Sequence, residues 1–379
     1  MLRLAPMMGI TRVANVTGLD SLGVPVVMVC RPNSRSVVVS QGKGIDLASA
    51  RASGLMEAAE LYHAETITLP LRLAAYEDLR YQYGVVQTDN LPRRVDSRFH
   101  PLLRLLWCEG SDLLSGANLL LPYELVHTDY TMPLPDGHGC FSASSNGLAS
   151  GNTLIEAISQ GICEVIERHA TAQWKYGQAL EEDRLDLTSI DDSISREIIE
   201  KFESVGFLVA VWDITTDIRI AAFACLIIPQ SERAWHCAAA AGYGCHPARQ
   251  IALVRALTEA AQTRLTVISG LRDDFRGDTY EQLLDIDVLR SIRNCIAVSR
   301  PLRRFSDAPN FDVETFEEDV EWELQCLRQA GVRRVMAVDL TKPAFDLPVV
   351  RIVIPGLEPM LKSSCVPKSA EQAAIAAML

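Results

Sequence analysis

Glu156, Gln160, Glu164 and Glu167 recur at i, i+4, i+8 and i+11, so an α-helix places three carboxylates and an amide on one face. Leu154, Ile155, Ile158, Ile162, Val165 and Ile166 occupy much of the remaining surface. A solvated acidic face interleaves lysine at i+4, and this helix has none. The line therefore looks into a pocket. Ser53, Glu57 and Glu60 repeat the spacing among Leu47, Ala50, Leu55 and Met56. A third set, Arg255, Glu259 and Gln262, lies among Ile251, Leu253, Val254 and Leu257. Gathered carboxylates lose hydration and repel one another, so a positive partner must compensate. Lys43, Arg168 and Arg255 are fixed cations, and an oxygen-rich set of Glu, Gln and Asn suits Mg²⁺, which is often shared with nucleotide phosphates.

Each polar line follows a strand-like segment and a glycine turn. The turns are Gly42-Lys43-Gly44, Gly151-Asn152-Thr153 and Gly242-Tyr243-Gly244, the last leading through Pro247, which is suited to a first helical turn. Helix starts of this kind offer backbone N–H donors and a favourable dipole to phosphate. Aligning Glu57, Glu164 and Glu259 also brings Gly44 onto Gly151 and Gly42 onto Gly244. Three helices in register predict one site built from related βα units. Neither G-x-x-x-x-G-K-[ST] nor a complete G-x-G-x-x-G is present, so a nucleotide site here is of another type.

Simpler roles compete at several positions. Glu156 fits a capping box with Thr153, Arg255 and Glu259 fit a surface i, i+4 pair, and Ser53 fits back-bonding within its helix. Lys43 could be merely exposed, and His169 fits helix-end packing. His236, Cys237, Cys245 and His246 have the mixed strand and turn spacing of an unlikely metal set. The like-charge pairs Glu57/Glu60 and Glu164/Glu167 have no comparable structural use.

The 379 residues are 48% hydrophobic and 22% charged, enough for a substantial core. A net charge of −12 argues against bulk nucleic-acid binding. No signal-like start or membrane-length apolar run is present, which predicts a cytoplasmic protein with no membrane partner. Ten cysteines without C-x2-C spacing read mostly as reduced core residues. Strands are expected at 24–29, 36–40, 207–212, 218–228, 335–338 and 349–354, with a hairpin turning near 213–217. Further helices are expected at 190–204 and 313–330, the latter with a solvated acidic face and Gly331 as its C-cap. The stretch 66–135 reads as an insertion with its own strands. The whole, residues 1–379, is expected to form one interwoven α+β domain.

Ser53-x3-Glu57-x2-Glu60, Asn152-x3-Glu156-x3-Gln160-x3-Glu164-x2-Glu167-Arg168 and Arg255-x3-Glu259 together resemble the ATP-binding signature of YcaO-domain proteins. Gly42-Lys43-Gly44, the segments 147–153 and 255–265, and Pro355-Gly356-Leu357-Glu358-Pro359 are similar to the same family. The opening segments 9–12 and 17–20 resemble stand-alone members that work with a TfuA partner. Two departures stand out. Leu61 occupies a position where many members carry Arg, and the ending 366–379 lacks the proline-rich tail of many azoline-forming cyclodehydratases.

The resemblance implies a single YcaO-type catalytic domain with its motif-bearing core at about 36–359, surrounding one ATP/Mg²⁺ pocket. It implies ATP-dependent O-phosphorylation of a peptide backbone amide. By matching positions, Glu60, Glu156, Glu167 and Glu259 would hold metal. Lys43, Ser53, Glu57, Asn152, Gln160, Glu164, Arg168 and Arg255 would hold the nucleotide, with Arg168 and Arg255 also catalytic. The implied reaction is thioamide formation on a peptide or protein substrate, with a TfuA-like protein, a sulfur donor and a homodimeric enzyme. Azoline formation and a non-catalytic ATP-binding regulator are the rival readings.

Overall fold

A computed structural model describes residues 3–176, 183–231, 239–272, 286–298 and 301–357. His236, Cys237, Glu358, Pro359 and the segment 366–379 lie outside these residues. Three antiparallel sheets carry the chain. One contains β1 (Arg12–Asn15), β2 (Val26–Cys30) and β3 (Val39–Lys43), and another contains β8 (Phe207–Asp213), β9 (Ala222–Pro229) and β10 (Ala240–Cys245). The largest runs in the order β4 (Arg72–Ala75), β5 (Arg104–Asp112), β11 (Met336–Asp339), β12 (Val349–Val353), β7 (Leu148–Ser150), with β6 (Asn118–Pro122) also paired to β5. The helices are α1 (Leu47–Glu65), α2 (Tyr76–Leu79), α3 (Leu154–Tyr176), α4 (Ser193–Ser204), α5 (Arg249–Ser269), α6 (Ile286–Val298) and α7 (Phe316–Gln329).

The three sequence units are real and share a design. β3, β7 and β10 each end their sheet. An edge strand presents unpaired N–H and C=O groups, and in every unit the helix that follows packs back on it: α1 on β3, α3 on β7, α5 on β10. Each helix also reaches the next strand in turn, α1 touching β7, α3 touching β10 and α5 touching β3, which closes a ring. β9 explains its own composition. Its Ala222, Ala224, Leu226 and Ile228 join the cluster of α3, while Phe223, Cys225 and Ile227 join that of α5. Both faces are covered, so the strand reads as a continuous apolar run.

The glycines serve close approach. Gly42 and Gly244 lie within β3 and β10, not in turns as the sequence reading had it. A Cβ on Gly42 would overlap the Ala50 carbonyl oxygen and the Gly54 amide; one on Gly244 would overlap the Ala252 carbonyl oxygen and the Ala256 amide. The offsets along the chain are identical, so the alignment of Gly42 with Gly244 is a three-dimensional equivalence. Gly44 and Gly151 are likewise equivalent, each crowding the Cβ five residues on (Ser49, Glu156) and the amide six residues on (Ala50, Ala157). Replacing Gly244 by Ala is expected to cost about 3 kcal/mol by overpacking. It would be read as a lower denaturant midpoint at unchanged slope, and a change below about 0.5 kcal/mol would remove this account of the glycine.

Other expectations need correction. Pro247 precedes the N-cap Ala248 and is outside α5, where its carbonyl accepts from Phe311 N at 3.0 Å. The stretch 66–135 is no separate insertion, because β5 pairs with β11 and joins the largest sheet. The strand expected at 36–40 is displaced to β3, and the one expected from 218 begins at Ala222 because residues 214–221 form the hairpin connection. α4 starts after Asp192, whose carboxylate accepts from Ser195 N at 2.7 Å. Gly331 takes φ +85° one residue beyond the C-cap Ala330.

The acidic face of α7 is only partly solvated. Glu317, Glu318 and Glu321 are exposed, but Asp319 and Glu323 are buried, with Glu323 accepting from Ser159 Oγ at 2.7 Å on α3. Burial pushes the Glu323 carboxyl well up, and Cys163, 3.2 Å away, adds to this. Seven cysteines among the described side chains are free, and all but Cys30 are buried. No helix among the described residues is long and apolar enough to cross a membrane.

Candidate active site

Three contacts, each between different units, tie the polar helix faces together. Ser150 at the end of β7 donates to Glu60 of α1 at 2.6 Å. Arg255 of α5 donates to the Gln160 amide oxygen on α3. Lys43 at the end of β3 pairs with Glu259 of α5. Unit two thus holds unit one, unit three holds unit two, and unit one holds unit three.

The remaining contacts anchor the helices to the strand edges they cover. Glu57 accepts from Gln41 N at 3.2 Å, and Glu259 accepts from Tyr243 N at 3.4 Å, the same offset of sixteen residues in units one and three. Lys43 N donates to Ser53 Oγ at 3.4 Å. Carboxylates therefore satisfy edge-strand donors that no neighbouring strand reaches.

Charge in this recess is out of balance. Loss of hydration pushes Glu57 up to about 7, against the pull of Gln41 N–H, Arg272 and Lys43. Glu60 rises to about 8 for the same first reason, with Glu57 and Glu164 adding repulsion that the Ser150 bond does not cancel. Glu167 rises to about 7 through burial and then the nearby Glu259. Glu164 also rises by burial, resisted by Arg168 and Arg351. Burial alone would lower Arg168, but Glu164, Glu167 and Glu259 outweigh it and hold the guanidinium charged. Arg168 stands 3.6 Å from Glu164 with about half its side chain exposed, so its charge faces the opening.

Among the described residues no three acidic, histidine or cysteine groups already stand as a metal-binding cluster. The carboxylates are engaged instead by Lys43, Ser150 and Asn152. The all-oxygen chemistry of the set and the raised proton affinity of Glu57, Glu60, Glu164 and Glu167 fit a hard divalent cation, which would replace protons and contacts there. Glu156 is the most peripheral of the metal candidates. Its carboxylate accepts from Asn152 N at 2.7 Å and from Asn152 Nδ2 at 3.0 Å, while its own N–H donates to Thr153 Oγ1 at 3.2 Å. The capping role is therefore realised, and the structure does not itself bring Glu156 into the cross-unit ring.

The other candidates take clear places. Arg255 is held by a second bond to Cys245 O at 2.9 Å. His169 contacts Gln173 at 2.9 Å on the same helix. His246 accepts from Ala248 N at 3.0 Å in the turn before α5, and burial lowers its pKa to about 3. Leu61 is 6% exposed within the apolar cluster beneath α1. Sequence reasoning passed over Ser150, Tyr243, Arg272 and Arg351. Arg351 carried a usable signal, being the one charge in the apolar strand Val349–Val353; it is 2% exposed and influences Glu164.

Comparison with known proteins identifies the family of the chain. A family model described as YcaO cyclodehydratase, ATP- and Mg²⁺-binding, matches residues 41–358. The chain is 36% identical over 362 residues to an uncharacterised protein in the tfuA 3′ region of Rhizobium leguminosarum bv. trifolii, covering 92% of this chain and 84% of that one. It is 32% identical over 367 residues to an uncharacterised protein of Methanothermobacter thermautotrophicus, covering 93% and 90%. A heterocyclase solved with substrate and cofactor has a TM-score of 0.77 at 24% identity over 92% of this chain, which spans 50% of that heterocyclase. YcaO from Methanopyrus kandleri bound with AMPPCP and Mg²⁺ has a TM-score of 0.73 at 21% identity, covering 97% of this chain and 92% of that one. The structural likenesses speak to the fold, and the family match extends from β3 past β12 across all three polar helices. This mixed helix-and-sheet chain belongs to the YcaO family, an ATP- and Mg²⁺-binding family.

Proposed function

We propose that the protein is one catalytic domain that activates a peptide backbone amide by O-phosphorylation and converts it to a thioamide. The observation that carries the reading is the ring of Ser150–Glu60, Arg255–Gln160 and Lys43–Glu259 contacts around carboxylates of raised proton affinity. An amide resists attack because nitrogen donates into the carbonyl and oxide leaves poorly. ATP would supply the phosphoryl group that turns this oxygen into a leaving group, with Mg²⁺ neutralising its charge.

Glu60, Glu167 and Glu259 are the residues that would hold the metal, with Glu156 at the helix entrance. Lys43, Ser53, Glu57, Asn152, Gln160, Glu164, Arg168 and Arg255 would line the nucleotide. Arg255 is braced by Gln160 and Cys245, so its guanidinium is already oriented and little entropy is lost on engaging phosphate. Arg168, half-exposed at the opening, is placed to meet charge that develops during transfer. Lys43 can exchange Glu259 for a phosphate oxygen, freeing that carboxylate.

The choice of thioamidation is supported by the relative in the tfuA 3′ region. A TfuA-like protein, a sulfur donor, a cytoplasmic setting and a homodimeric enzyme are parts of the same proposal. The experiment incubates the protein with Mg·ATP, sulfide, a TfuA-like protein from its own genome and neighbouring small peptides. A gain of about 16 Da, sulfur replacing oxygen as phosphate leaves, is the expected product. Loss of water from the peptide overturns it in favour of azoline formation, the second reading. That reading is supported by the cyclodehydratase description of the family and by the heterocyclase likeness. The regulator reading rests on Leu61, which packs in the core and supplies no cation; ATP binding without hydrolysis in the presence of partner and peptide would favour it.

A further inference from the structure

The line of charge on α3 continues beyond Arg168. Lys175 follows it by seven residues, two turns and about 10 Å along the helix. Helical side chains lean toward the helix N-terminus, so the long stem of Lys175 runs back toward Arg168, and its Nζ lies 5.2 Å from the centre of the Tyr243 ring. Tyr243 belongs to the ring of units. Its N–H donates to Glu259 at 3.4 Å, and strand alternation turns it away from the face on which Gly242 and Gly244 press against α5.

Among the described residues, the charged and titratable groups around the amine are few. Arg168 lies on its own helix and Tyr243 on β10, and behind Tyr243 stand Glu259 of α5 and Glu167. β9, which also packs on α3, carries no charged residue. Among the described residues, Lys175 has no carboxylate partner. Burial, then repulsion from Arg168, lowers its pKa to about 8. Lost hydration and a nearby guanidinium leave the lysine partly as free amine near neutrality, against the pull of the Tyr243 face on the ammonium. Along α3, Asn152 and Glu156 mark one end of the polar line, Glu164, Glu167 and Arg168 its middle, and Lys175 the other end.

We propose that Lys175 is a further catalytic residue, the general base that takes the proton of the sulfur nucleophile at the end of the pocket opposite Asn152. This rests on the thioamidation reading above. Hydrosulfide forms the new C–S bond with a sulfur lone pair as the C=N π pair of the phosphorylated amide moves to nitrogen. In the collapse, Lys175 removes the S–H proton, and the S–H pair becomes the second C=S bond. The C–O bond breaks with its pair on oxygen, and the ammonium passes its proton to the departing phosphate. No oxidant or reductant is needed.

The test is a pH–rate profile at saturating Mg·ATP and sulfide for wild type, Lys175→Arg and Lys175→Ala. Wild-type kcat should rise through an apparent pKa of about 8. Lys175→Ala should lose about 100-fold in kcat, keep its KM for ATP within about twofold, show no such limb and recover with methylamine. Lys175→Arg should not restore activity, because arginine stays protonated. Wild-type kcat in Lys175→Arg, or an unchanged profile in Lys175→Ala, overturns the assignment. If the wild type removes water from the peptide, the sulfur reading falls. The same variants assayed on that product then test the base, and an unchanged rate overturns it. If no peptide is turned over, ¹⁵N NMR titration of the Lys175 amine in the Mg·ADP complex decides: a depressed pKa supports the role, and one near the ordinary 10.4 overturns it.

Discussion

Glu60→Gln and Glu167→Gln are each expected to lose at least about a thousandfold in kcat with Mg·ATP, yet to melt higher than wild type at pH 8 without nucleotide. The two effects have one origin. Both carboxyls are starved of water, and their proton affinity is raised to about 8 and about 7. In the nucleotide-free protein at pH 8, each either retains a proton or carries a poorly solvated charge beside Glu57, Glu164 or Glu259. Glutamine has the same shape and neither burden. Its amide oxygen can still accept from Ser150, so Glu60→Gln leaves the link between units one and two intact. What is lost is the charge a divalent cation needs. ADP release and thermal melts measure the two halves, and a variant that kept a tenth of wild-type turnover, or melted lower at pH 8, would refute the assignment.

Stability of the nucleotide-free protein should fall as pH rises from about 6.5 to 8.5, and Mg²⁺ should protect more at the upper end. Burial raises Glu57, Glu60 and Glu167 to about 7, 8 and 7 in the folded protein, against the ordinary 4.5. Between these limits the folded form holds more protons than the unfolded one, so raising pH favours unfolding. Their contribution is fully present below about 4.5 and is lost as pH passes through 7 to 8. Histidines act in the opposite sense at lower pH. Burial holds His127 and His246 to about 4 and about 3, so their neutral forms favour the folded state only as pH rises toward 6.5. Above 6.5 the histidines no longer contribute, and Lys175, lowered to about 8, offsets only part of the fall caused by three carboxylates. Metal must displace their protons, so calorimetry in buffers of different ionisation enthalpy should show proton release on Mg²⁺ binding, larger at pH 6.5 than at 8.5. Proton uptake, or a melting temperature that climbs across this window, would contradict the account.

The site was legible in the sequence wherever helical periodicity carried it. Glu57, Glu164 and Glu259 aligned in register because the three strand–helix packings share offsets that Gly42, Gly44, Gly151 and Gly244 enforce. Glycine itself was ambiguous, since a turn and a close approach leave the same residue in the sequence. Cross-unit partners were invisible for a different reason. Nothing local to Glu60 points to Ser150, and nothing local to Gln160 distinguishes Arg255 from a surface cation. The buried half of α7 was missed because Asp319 and Glu323 share an acidic run with the exposed Glu317, Glu318 and Glu321, and contacts with distant residues, such as those of Glu323 with Ser159 and Cys163, are not visible in the sequence. The stretch 66–135 looked self-contained because β5 finds β11 more than two hundred residues later.

Ser150 and Glu60 are 90 residues apart in the chain, Gln160 and Arg255 are 95, and Lys43 and Glu259 are 216. If these residues form the nucleotide pocket as proposed, a polypeptide emerging from the ribosome has none until residues beyond Glu259 are free to fold. Ligand binding would then not guide the early steps of folding: Glu57 finds Gln41 within its own unit, but Glu60 must wait for Ser150 and Lys43 for Glu259. On the same assignment Mg·ATP would bind only the completed ring, and its binding free energy would add to holding the first and third units together.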